Sequence, residues 1–124
     1  MLRGIWSAIA SAMTSWYQAK LFVEHSLAVS PDSIHVVVGV LALLVVSLLT
    51  RRSIASWRPW LVLLVIELLN EAIDLWIEQW PDPGMQYGEG ARDLLLTMLL
   101  PTVLLLAVRL RPDLFRGPYA TRRR

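Results

Sequence analysis

The sequence predicts an all-α membrane protein: an N-terminal amphipathic interfacial helix followed by three transmembrane helices, in a single domain. Three observations carry this. The 124 residues are 56% hydrophobic, too apolar for an ordinary soluble domain of that length. Three apolar stretches, residues 33–49, 60–80 and 94–110, approach the roughly 17–25 residues that cross a bilayer. Arginine gathers at the ends of these stretches, while acids sit inside the second.

Residues 2–25 form the interfacial segment. Leu2, Ile5, Trp6, Ile9, Met13, Trp16 and Tyr17 share one helical face, and Arg3, Ser7, Ser11, Thr14, Ser15 and Gln18 the other. Such a helix lies in the membrane surface with its tryptophans down. Lys20 and Glu24 then break the apolar register, at a spacing that could pair them. Ser30, Pro31 and Asp32 make a turn, and Asp32 or Ser33 caps the first span, 33–50. Its one ionisable group is His35. Gly39, Ala42 and Ser47 are small enough to allow close helix contact.

The loop 50–59 carries Arg51, Arg52 and Arg58, and Trp57 and Trp60 fit an aromatic belt beside it. The second span, 60–80, measures about 30 Å at 1.5 Å per residue. Residues 81–90 hold two prolines and three glycines and are expected to be irregular. The third span, 92–110, contains Pro101, which leaves the Thr97 carbonyl without its helical donor and should kink the helix. Asp93, Thr97 and Pro101 share a face. A basic tail, 111–124, follows.

The formal charge of +2 hides this segregation. Arginine at the ends of apolar spans is a topology signal, and no nucleic-acid partner is implied. The positive-inside rule places the 50–59 loop and the C-terminus in the cytoplasm of a bacterial inner membrane. With no cysteine there is no disulfide and no thiolate metal site.

The chemistry is concentrated in the second span. Glu67, Asn70, Glu71, Asp74 and Glu78 follow an i, i+3, i+4, i+7, i+11 pattern and fall on one side of a helix. An ionisable group in hydrocarbon costs roughly 2.5–3.5 kcal/mol. The stripe must therefore face protein, water, a metal or a polar ligand. Three helices offer little interior, which points to a homo-oligomer or to partner membrane subunits.

The run from Glu67 to Glu78, followed by Gly90-Ala-Arg92-Asp93, resembles the prokaryotic integral-membrane diacylglycerol kinases, which are small homotrimers with a surface helix and three spans. A weaker likeness runs to VanZ-type small membrane proteins. The kinase resemblance implies Mg-ATP-dependent phosphorylation of a membrane lipid hydroxyl. Glu67 would be the general base, Asn70 and Glu78 would contact nucleotide or substrate, and Arg92 and Asp93 would stand at the ATP phosphates. Asp74 and Glu24 would hold Mg²⁺. The arginine distribution puts the acidic end outside, away from ATP. That counts against the kinase reading, and the alternative to it is a non-catalytic accessory or scaffold subunit of a larger membrane complex, respiratory or photosynthetic for example, with the stripe as a packing or docking seam.

Overall fold

The computed structural model describes residues 2–27 and 29–115. Four α-helices follow one another: α1 (Leu2–Leu27), α2 (Pro31–Leu49), α3 (Trp57–Glu78) and α4 (Pro83–Leu110), with a final 3₁₀ turn at Pro112–Phe115. From residue 116 on, the expected basic tail lies outside the described residues.

Local chemistry sets each boundary. Ser30 caps α2, its hydroxyl accepting from Ser33 N–H, with Pro31 in the first turn. Pro at that position costs no hydrogen bond because its N–H would be unpaired anyway. Thr50 ends α2. Arg51 then takes a left-handed conformation (φ 52°), and Arg51 N–H and Arg52 N–H return to the carbonyls of Leu48 and Ser47 (3.1 and 3.0 Å). This is a Schellman ending with arginine where glycine is usual. Ser56 caps α3, and Gln79 (φ 43°) closes it.

The stretch 81–90 corrects the expectation of an irregular loop. Asp82 Oδ1 accepts from Gly84 N–H (2.8 Å) and Met85 N–H (3.4 Å), and Pro83 opens α4. An acidic cap followed by proline is a start signal, and it outweighs the glycines beyond it.

The helices pack by register. His35, Gly39 and Asp32 of α2 lie beside Asp93, Thr97 and Arg92 of α4, so these two helices run parallel. α3 runs antiparallel to both, with Glu71 near Gly90, Glu67 at Thr97 and Trp60 at Thr102. Trp60 donates its indole N–H to Thr102 Oγ1 (3.0 Å), so it is an α3–α4 contact.

The closest approach is at Gly39. A Cβ there would lie 2.0 Å from the Thr97 carbonyl oxygen. That oxygen is the one Pro101 deprives of a helical donor. The glycine Cα–H meets it instead, a weak C–H···O contact that only a residue without Cβ permits. Around this crossing the apolar core is small: Leu43, Leu63 and Met98, with Ala42, Trp60, Leu64, Leu94 and Leu104 against it.

The expected count of three transmembrane helices is corrected. Among the described residues, two helices are long and apolar enough to cross a membrane, α2 and α4. α3 is not: any 18-residue stretch of it holds at least three of Arg58, Glu67, Glu71, Asp74 and Glu78. The fold is a four-helix all-α arrangement with two such apolar helices.

A candidate polar cleft at the acidic end

The acidic stripe of α3 faces inward. Glu67 and Glu71 are buried, and Asp74 is half-buried. Burying carboxylates is costly unless each finds a partner; those of Glu67, Asp74 and Glu78 come from three other helices, while Glu71 accepts from its neighbour Asn70 (3.4 Å).

Glu67 is held from α4. The Thr97 hydroxyl donates to Glu67 Oε1 (2.7 Å), and Thr97 itself is 1% exposed. His35 Nδ1 lies 3.0 Å from the same hydroxyl. A hydroxyl has one proton to give, and Glu67 takes it, so His35 Nδ1–H donates to Thr97. The other ring nitrogen of His35 lies 3.5 Å from Asp93 Oδ2. Thr97 is thus the junction of the bundle: its hydroxyl joins α3 and α2, and its carbonyl receives Gly39.

Farther along α3 the partners come from α1. Lys20 pairs with Asp74 Oδ2, Tyr17 donates to Glu78 Oε1 (3.1 Å), and Trp16 donates to Asn70 Oδ1 (3.0 Å). Burial first, then the hydrogen bond to Glu78 and its negative charge, hold the Tyr17 phenol above its ordinary pKa. The α3 terminus is clamped by Gln86 of α4, which accepts from Trp80 N–H (3.2 Å) and donates to the Leu75 carbonyl (3.4 Å).

Between α1 and this end of the bundle lies a cleft of about 200 Å³. It gathers four residues singled out from the sequence, Glu24, Asp74, Glu78 and Asp93, together with Lys20, His35 and Glu71. Three others fall elsewhere. Glu67 is buried at the Thr97 junction, Asn70 bonds Trp16, and Arg92 is half exposed, paired with Asp32 and with Glu89 (3.1 Å).

The possible Lys20–Glu24 pair is not formed; Lys20 reaches across to Asp74. Lys20, Tyr17 and Gln86 carry no sequence motif. The available signal was that Lys20 is the sole lysine, set where the apolar register of α1 breaks.

The fit to Mg²⁺ is poor. Among the described residues no three His, Asp or Glu side chains stand close enough to hold a metal ion. Asp74, one expected ligand, gives one oxygen to Lys20, and its other oxygen is buried without a hydrogen-bond partner. Glu24 lines the same cleft. No step can be routed through a bound metal here. What the arrangement does chemically is set Lys20 and His35 against Asp74 and Glu67 and pin α1, α2 and α4 to one face of α3.

Compared with family models, with curated proteins and with solved structures, the chain matches none, so the resemblance to diacylglycerol kinases rests on its motif residues alone.

Proposed function

We propose that the chain is a non-catalytic helical subunit of a membrane assembly, anchored by α2 and α4, with the acidic face of α3 serving as an internal seam. One observation carries the reading: polar groups are turned inward and apolar groups outward. Glu67, Glu71, Thr97 and Ser47 are buried, while Val37, Leu41, Val45, Leu48 and Leu49 of α2 are each more than half exposed. Leu95, Leu99 and Leu110 of α4 are equally bare. Bare apolar rows of this kind on two helices go beyond the singly scattered apolar residues of a soluble surface. Lipid tails and neighbouring apolar helices are the surroundings that suit them.

The seam supports the non-catalytic part. Phosphoryl transfer needs a reachable base, a cation clamp on the phosphates and a site for the metal. Here Glu67 lies under Thr97, Arg92 is spent on Asp32 and Glu89, and the carboxylates do not converge. The test is purification from native membranes in mild detergent. The expected result is co-purification with other membrane polypeptides and no ATP-dependent lipid phosphorylation, by wild type or by Glu67→Gln. Recovery only as a free monomer or homotrimer, or lipid phosphorylation that Glu67→Gln abolishes, would overturn the reading.

A further inference from the structure

At the end of the bundle opposite the cleft, Arg51, Arg52, Arg58, Arg109 and Arg111 outnumber one acid, Asp113. Between the last turn of α2 and the first turns of α3 lies a groove of about 440 Å³, lined by Thr50, Arg52, Trp57, Arg58, Leu61 and Val62. We propose that this groove binds an anionic phospholipid, its phosphate between Arg52 and Arg58 and an acyl chain along Leu61 and Val62.

Three observations support it independently of the acidic cleft. First, no acid lines the groove, and among the described residues neither arginine is paired with a carboxylate. Second, the first turn of α3 contains no acidic residue and does contain Arg58. A helix N-terminus is already positive and ordinarily attracts acids. Adding guanidinium there leaves a charge that only an external anion offsets, and guanidinium binds phosphate in a two-pronged geometry. Third, the groove wall is apolar and runs on into the bare outer face of α3: Leu61, Val62 and Val65 are 36%, 41% and 54% exposed. A free inorganic anion has no use for that wall, whereas an acyl chain does. Trp57, half exposed at the lip, has the position of an interfacial indole. The left-handed turn at Arg51 aims the chain so that Arg52 sits at this lip.

The inference rests on the membrane reading, and the two can fail separately. The full-length protein is reconstituted into phosphatidylcholine nanodiscs; failure to insert counts against the membrane reading itself. Inserted protein is then exchanged into discs of equal phosphatidylcholine and phosphatidylglycerol, and the lipids it retains are identified by native mass spectrometry. Wild type is expected to retain phosphatidylglycerol at least about tenfold over phosphatidylcholine. The Arg52→Gln/Arg58→Gln double variant should lose that preference with its helical circular dichroism unchanged. Excess inorganic phosphate should not release the lipid. Equal retention of the two lipids by wild type, undiminished preference in the double variant, or release by phosphate would each overturn the proposal. The wild-type comparison stands even if the variant misfolds.

Discussion

Replacing Gly39 by alanine places a methyl carbon 2.0 Å from the Thr97 carbonyl oxygen. Ordinary contact begins at 3.4 Å, so α2 and α4 would have to part by about 1.4 Å. The obstacle is backbone, in a helix turn stiffened by Pro101, so it cannot swing aside as a flexible side-chain tip would. Forced overpacking of this kind costs roughly 1–3 kcal/mol. The same displacement stretches the His35–Thr97 hydrogen bond (3.0 Å), which joins α2 to α4, and such a bond contributes roughly 0.5–1.5 kcal/mol. Alanine returns roughly 1 kcal/mol through its better helix propensity. The expected net loss is about 2 kcal/mol, read as a lowered midpoint of thermal or SDS-induced unfolding in mild detergent, followed by far-UV circular dichroism. Gly4 and Gly88 supply the comparison, because a Cβ at either would meet nothing within 4 Å. Gly88→Ala should be neutral or stabilising by up to roughly 1 kcal/mol. If Gly39→Ala proves as stable as Gly88→Ala, the close crossing is not what holds α2 against α4, and the argument built on Pro101 and Thr97 fails.

Thr97→Val keeps the shape but strips Glu67 of its donor and His35 of its acceptor. It should destabilise the fold by about 2 kcal/mol in the same assay, and a loss below a few tenths would refute the junction. Lys20→Met leaves Asp74 without its cation and should raise hydrogen exchange across α1 while sparing α4; uniform exchange would count against it. Tyr17 has a raised folded pKa, so its contribution is complete below the ordinary value of about 10 and is lost as pH rises through the higher folded value. The tyrosinate absorbance difference between wild type and Tyr17→Phe should therefore titrate above that value, and Glu78→Gln should shift it down. A midpoint at or below the ordinary value would contradict the contact. Arg92→Gln removes an exposed pair and should cost less than about 1 kcal/mol; a larger loss would give Arg92 a role the geometry does not.

Much of this architecture was legible because it follows from periodicity. The inward acidic face of α3 comes from the i, i+3, i+4, i+7 spacing, and the special carbonyl at Thr97 from Pro101 four residues on. Gly39 was readable as a contact-permitting residue, though not as the partner of that carbonyl, since nothing local connects positions so far apart in sequence. His35 was readable as a partner for the stripe, and it lies 3.6 Å from Glu67, but its contacts to Thr97 and Asp93 were not, since they lie on another helix far along the sequence. The stretch 81–90 misled because its glycines and prolines were weighed as breakers, when Asp82 and Pro83 were a helix start. The second span misled through its length. Twenty-one residues bounded by tryptophans look like a crossing, but the charges that make α3 a seam also take it below the apolarity of α2 and α4. The continuation of α1 to Leu27 follows from a second polar surface. Lys20, one turn after Trp16, lies on the same side of the helix and pairs with Asp74.

The three bonds from α1 to the stripe, by Trp16, Tyr17 and Lys20, all fall between residues 16 and 20. The helix is thus fastened at one spot, with more than a dozen residues projecting ahead of it. It works as a lever on a single pivot. Whatever surface grips Ile5, Trp6 and Ile9, which are exposed along the free arm, acquires leverage over the Lys20–Asp74 pair. A displacement of that arm would bear first on the contacts at residues 16–20 and on the acids they cover.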